Sequence, residues 1–174
     1  MMLNTWLKIS RFIPTTAFVL ACSQTLLAGP ALAGPAEDAY NRGLDLKGNG
    51  KIPAAIRSFD QAISLNPKYK DAYGTRAVLL NLLGQHQKAA DDCTQIITLD
   101  PGNIQFLTLR GRLYYKLGKY QQAVVDLTRV ISITPRNGEA LLFRCQAYEK
   151  LGKPDLARQD QEKAAQLGFK PGMF

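Results

Sequence analysis

The chain has 174 residues, 46% of them hydrophobic and 21% charged, with a formal charge of +8 at pH 7. That length and balance are those of one folded domain with a proper core, and they exclude intrinsic disorder as the governing state. The positive charge suits an acidic protein, an anionic membrane or a nucleic acid, and does not choose between them.

Residues 1–33 differ from everything after them. Lys8 and Arg11 make a short basic start with no acidic residue, an apolar stretch runs from Phe12 to Leu27, and Ala31-Leu32-Ala33 precedes Gly34 and Pro35. This is the plan of a secretory signal peptide, with small residues at Ala31 and Ala33 suited to cleavage after Ala33. Pro14, Gln24, Gly29 and Pro30 interrupt the stretch and make it a poor spanning helix. Val19-Leu20-Ala21-Cys22-Ser23 offers a second plan, a lipoprotein processing box with Cys22 lipidated, although Leu20 fits poorly two places before the cysteine. An uncleaved anchor or an organellar leader stays open as a third. All of these predict an exported chain, in a periplasm, a lumen or outside the cell, with membrane attachment only through the leader or a lipid on Cys22. Without Lys8 and Arg11 the remainder carries +6.

Beyond the leader the chain repeats every 34 residues. Arg42, Arg76, Arg110 and Arg144 share one register, as do Gly50, Gly84, Gly118 and Gly152, then Ala55, Ala89, Ala123 and Ala157, and in the first three copies Pro67, Pro101 and Pro135. In each copy a first helix, A, of about fourteen residues ends at the glycine, where a left-handed cap needs no side chain. The second helix, B, starts near the alanine, which is expected to face Gly43, Ala77, Gly111 or Cys145 so that small meets small. Proline closes helix B by removing a donor and restricting the residue before it. Between these marks apolar residues recur at three and four, as in Ala123, Leu127, Val130 and Ile131.

A second charged column accompanies the arginines: Asp92, Asp126 and Asp160 follow Arg76, Arg110 and Arg144 by sixteen residues, while repeat 1 has Ser58 there. The pairing predicts a bidentate staple between helices A and B. Arg42 is left either as a structural residue or as an anion-binding one. Cys93 and Cys145 fall on different faces two repeats apart, too far for a disulfide, and are expected to be free and buried. His86, the single histidine, lies in a turn, and with no further imidazole or cysteine beside it neither a metal site nor a nucleophile–base pair can be assembled. The expectation is no enzyme activity and no cofactor.

These columns resemble the tetratricopeptide repeat family. Residues 104–137 match its pattern best through Leu107, Gly111, Tyr114, Gly118, Tyr120, Ala123, Leu127, Val130 and Pro135, and residues 36–69 nearly as well through Gly43, Gly50, Ala55, Phe59, Ala62 and Pro67. Residues 70–103 carry Tyr73, Ala77, Gly84, Ala89 and Pro101. Residues 138–171 depart most, with Gln161 in place of a large apolar residue and Phe169 in place of proline, and read as a cap with a polar outer face. The resemblance implies an all-α, right-handed superhelical solenoid of four tandem 34-residue helix-turn-helix repeats that binds another protein or peptide in a concave groove lined by the A helices.

Family positions for the groove transfer to Tyr40, Asn41, Leu44, Lys47, Thr75, Val78 and Asn81 in the first two repeats. In the last two they fall on Leu109, Arg112, Tyr115, Lys116, Phe143, Gln146 and Lys150. Tyr115 and Phe143 are the expected apolar anchors, with Arg112, Lys116 and Lys150 as charge contacts; the alternative for Leu44, Leu109 and Phe143 is packing between neighbouring repeats. The family's carboxylate clamp for a partner's C-terminus has no counterpart in either possible frame, Tyr40, Leu44, Thr75, Gln105 and Leu109 or Gly74, Val78, Leu109, Glu139 and Phe143. Self-association of the stack is a second expectation, and nucleic-acid binding is not expected of an exported chain.

Overall fold

The computed structural model describes residues 34–170 and Gly172; the expectations for the leader, cleavage after Ala33 and lipidation of Cys22, lie outside the described residues. Eight helices and no strand occupy the described part: α1 (Pro35–Gly48), α2 (Ile52–Leu65), α3 (Lys70–Leu82), α4 (His86–Leu99), α5 (Ile104–Lys116), α6 (Tyr120–Ile133), α7 (Gly138–Lys150) and α8 (Pro154–Gln166). Each helix packs on the next, and α5 also touches α7, which makes an all-α repeat solenoid. Within the described residues no helix is long and apolar enough to cross a membrane.

The turns within repeats follow from glycine. Gly50, Gly84, Gly118 and Gly152 hold φ between +67° and +73°. Around Gly118 its own N–H reaches the Tyr115 carbonyl at 3.0 Å and the Lys119 N–H reaches Tyr114 at 2.8 Å, and the other three turns repeat the pair. Two otherwise orphaned carbonyls are satisfied at each helix end. Because a three-residue link joins packed neighbours, helices A and B run antiparallel. The turns within repeats therefore share one edge of the stack, and the links between repeats share the other.

A Cβ placed on Gly43 would lie 2.5 Å from the Phe59 ring, and one on Gly111 would lie 2.8 Å from Leu127. The small residue of helix A thus also makes room for a large residue of helix B. The reason is volume: a fully buried Phe59 or Leu127 at 0% exposure needs the facing helix to give up its side chain.

The expected staples are present, and each arginine reaches further than its own repeat. Arg110 donates through Nε and Nη2 to both oxygens of Asp126 at 2.8 Å, and through Nη1 to Thr94 Oγ1 of the preceding B helix at 3.0 Å. Arg144 does the same with Asp160 and Thr128, and Arg76 with Asp92 and Asp60. Each guanidinium also lies over a tyrosine, 5.6 Å from the ring of Tyr114 for Arg110. The hydrogen bonds that Arg110 donates to Asp126 hold it charged and push its pKa up against the opposing effect of burial. In repeat 1 Arg42 instead donates to Ser58 Oγ at 3.3 Å and to Gln61 Oε1, both neutral.

One apolar cluster runs through repeats 2 to 4, from Ala77 to Ala164, whereas repeat 1 contributes two small clusters, one around Ala39, Ala62 and Ala72 and one around Ala55, Phe59 and Leu79. At the other end the proline column is replaced by a glycine cap: Gly168 has φ +86°, and the Phe169 N–H bonds the Ala164 carbonyl at 3.0 Å. That turn folds Phe169 against the N-terminus of α7, where its ring stands 2.1 Å from the place a Cβ of Gly138 would take. Cys93 and Cys145 are free and buried. Burial pushes the Cys93 thiol up to about 12 and that of Cys145 to about 11, so both stay protonated at neutral pH.

Candidate interaction groove

The A helices carry the candidate site. Tyr40 of α1 is fixed by ring contacts with Phe59 at 5.5 Å and Tyr69 at 5.0 Å, and its hydroxyl lies 3.3 Å from Thr75 Oγ1 of α3. Gly74 gives α3 a bare patch, and Phe106 of α5 fills it, its Cζ 2.7 Å from where a Cβ would stand. The result is a floor made by three successive repeats. Over it lies a cavity of about 380 Å³ lined among others by Tyr40, Lys47, Lys70, Thr75, Val78 and Phe106.

A second cavity, of about 570 Å³, continues along α5 to α7 between Val78, Asn81, Leu109, Arg112 and Glu139. Val78 and Gln105 line both, so the two are one groove crossing all four A-helix rows. Val78 is 50% exposed at the junction. Arg112 uses Nη1 to hold Glu139 Oε1 at 2.7 Å, and its Nε is buried with no hydrogen-bond partner among the described residues. Lys116 closes one side by reaching Asn81 Oδ1 at 3.5 Å. The surface combines an aromatic and aliphatic floor with amides, the carboxylates of Asp71 and Glu139, two lysines and one arginine, which is chemistry for binding a chain.

Of the residues expected in the groove, Tyr40, Lys47, Thr75, Val78, Asn81, Leu109 and Arg112 line it, and Lys116 touches its wall. Asn41 and Leu44, the latter 36% exposed, stand on α1 outside it, and Gln146 and Lys150 on α7 do not line it. The two anchors need correction. Phe143 is only 8% exposed: Arg112 covers its ring at 5.2 Å and Tyr115 meets it edge-on at 6.2 Å. Tyr115 in turn packs against Tyr120 at 5.5 Å, so the pair belongs to the seam between repeats 3 and 4. An aromatic side chain at that place gains more by covering its neighbour repeat than by meeting water.

Sequence reasoning missed Asn103, Gln105, Phe106 and Asn137. Asn103 and Asn137 have a local signal, because each is the N-cap of an A helix, accepting from Phe106 N at 3.3 Å and from Ala140 N at 2.9 Å. Gln105 shares a 34-residue column with Asp71 and Glu139, a polar row that marks the groove wall. Phe106 has no such column; only the gap at Gly74 explains its reach.

Comparison with known proteins agrees with this geometry. The tetratricopeptide repeat profile matches residues 40–104 and 108–173. Tetratricopeptide repeat protein 36 of Danio rerio is 36% identical over 73 residues, 42% of this chain and 39% of that protein. An uncharacterized protein of Methanocaldococcus jannaschii is 36% identical over 56 residues, 32% of this chain and 65% of its own length. The chain thus spans less than two thirds of these relatives. A crystal structure of MamA superposes with a TM-score of 0.70 at 23% identity, covering 76% of this chain and 78% of that one, a likeness of fold. With its matched residues spread over all four repeats, the chain belongs to the tetratricopeptide repeat family, whose fold is typical of protein–protein interaction.

Proposed function

We propose that this chain is an exported, non-catalytic scaffold that holds an extended peptide segment of a partner protein in the groove of α1, α3, α5 and α7. One observation carries the reading: the two cavities join at Val78 and Gln105, giving a continuous open trough with an apolar floor. Such a trough fits an extended chain, whose side chains alternate between floor and solvent. Lys47 and Lys70 at the α1 end favour an acidic residue in the ligand, with Asp71 excluding a dense acidic run.

Selection of peptides from a display library with wild-type protein and with Val78→Arg tests this. Val78 is half exposed, so the variant keeps its helicity and fills the junction. The expected result is a family of extended peptides retained by wild type and lost by Val78→Arg; peptides held equally by both would place the binding surface elsewhere. Export is tested by the mass of the mature N-terminus in the native host, where Gly34 as first residue, or a lipid on Cys22, supports it and an intact Met1 in the cytosol refutes it.

A further inference from the structure

The groove leaves the edge built by the turns within repeats without a role. Helices α1, α5 and α7 each carry a lysine in the last turn, Lys47, Lys116 and Lys150. Helices α2, α6 and α8 each begin behind a lysine at the N-cap, Lys51, Lys119 and Lys153, with no side-chain hydrogen bond to the helix. All six are exposed. Lysine is a poor N-cap, because the free N–H groups and the positive end of the helix dipole favour Asp, Asn, Ser or Thr. The carbonyls ending the preceding A helix account for one basic residue per turn, and here there are two. At the opposite edge the same chain does cap with Asn103 and Asn137.

Repeat 2 lacks this lysine pair and exposes Leu82 by 72% and Leu83 by 45% at the same edge. Lys119 Nζ donates to Gln87 Oε1 at 2.7 Å, so the turns of repeats 2 and 3 lie side by side and the leucines sit within the lysine row. Lys88 adds one more positive group; the carboxylates there are Asp45, Glu149 and Asp155. Cavities open along this edge near Gly152 and Leu156, of about 260 Å³, and between repeats 1 and 2, of about 520 Å³, where Leu83 and Lys88 meet Asp60, Asp91 and Asp92. The ammonium row extends beyond both, from the turn of repeat 1 to that of repeat 4, and with the apolar pair projecting from it this edge complements an extended anionic plane.

We propose that this edge docks on an anionic phospholipid surface, the lysines meeting headgroup phosphates and Leu82 and Leu83 reaching the apolar boundary. Lys47 and Lys116 also border the groove, whereas Lys51, Lys119, Lys150, Lys153, Leu82 and Leu83 stand outside its lining, so variants drawn from the latter let either surface fail alone.

Co-sedimentation of the full chain with vesicles tests it, comparing neutral phosphatidylcholine with mixtures containing phosphatidylglycerol. Residues 1–33 are common to every variant and cancel in the comparison. Wild type is expected to prefer the anionic vesicles and to weaken with salt. K51Q/K119Q/K150Q/K153Q is expected to bind them less by about fivefold for each lysine removed, at unchanged helicity. K68Q/R136Q, at the other edge, is expected to stay within about twofold of wild type, and L82S/L83S to bind more weakly while keeping its salt dependence. Equal binding to both vesicles, an unchanged quadruple variant, or retention by acidic polypeptide or DNA but not by vesicles would overturn the proposal.

Discussion

In repeats 2 to 4 a guanidinium joins three helices, its own A helix, the B helix beside it and the B helix before it, and a continuous apolar cluster runs through all three repeats. In repeat 1 the same arginine is exposed, meets Ser58 and Gln61, and stands over two small clusters built mainly of alanines and Phe59. The helix geometry is the same in both regions. Fold and stability are thus written in different columns: glycine, alanine and proline set the turns and spacing, while the sixteenth residue after the arginine decides how firmly each hairpin is held. In an array where a repeat touches only its neighbours, a weakly held end opens without the rest.

The largest effect is expected from breaking a central staple. Asp126→Ala leaves Arg110, 15% exposed at the side chain, facing Thr94 without its carboxylate, and costs about 3 kcal/mol in urea unfolding. Ser58→Ala, at the same column in repeat 1, removes one long hydrogen bond between an exposed arginine and a hydroxyl and costs about 1 kcal/mol or less. Equal losses would mean that the staple contributes no more than the polar contact of repeat 1. Next come the two buried glycines. Gly43→Ala drives a methyl group into the Phe59 ring, and Gly111→Ala meets the branch point of Leu127, whose Cγ lies 2.8 Å away on a fully buried side chain. Each is expected to lose about 2 kcal/mol, with the helical preference for alanine offsetting part of the overpacking.

Thiol chemistry separates local from global opening. Cys93 is fully buried in repeat 2 and its thiol is pushed up to about 12, so alkylation at pH 8 has to await opening of that region. A cysteine placed at Ala62, also fully buried but in repeat 1, is expected to react at least about tenfold faster in a background lacking the native cysteines, because only the terminal hairpin has to open. Matching rates would show that the four repeats open as one unit.

Most of the architecture was readable because each repeat states its columns four times. The glycine turns, the arginine–aspartate pairs and the two free thiols follow from residue type and spacing alone. What stayed hidden depends on side-chain reach across the seams. Nothing in the spacing says that Arg110 also bonds Thr94, that Phe106 crosses to Gly74, or that Phe143 folds under Arg112 and leaves the groove. Those choices are settled by volumes available only once repeats stack, which is also why seven of fourteen expected groove residues line it, Lys116 touches its wall and both aromatic anchors do not. The cap at Phe169 belongs to the same class: the loss of proline is visible in the chain, and its replacement by a Gly168 turn that folds a ring onto Gly138 is not.

The smallest expected effect bears most directly on the comparison. Ser58→Asp gives repeat 1 the carboxylate that the other repeats have. Ser58 is buried at 5% exposure, and Arg42 Nε already points at it from 3.3 Å, so the new group is met by one guanidinium nitrogen as it stands and by a second once Nη2 leaves Gln61. The gain is limited because Arg42 is exposed, and because a carboxylate brought into a buried position first loses hydration. A stabilisation of about 0.5 kcal/mol is expected at pH 7, together with slower alkylation of the cysteine at position 62. If the arginine lowers the new carboxyl's pKa, this increment is present above the unfolded carboxylate range and disappears as pH falls through the folded value, whereas Ser58→Asn shows no such pH dependence. A loss at pH 7 would mean that desolvation outweighs the pair, and would show that serine in this column is itself the better fit to an end repeat whose arginine faces water.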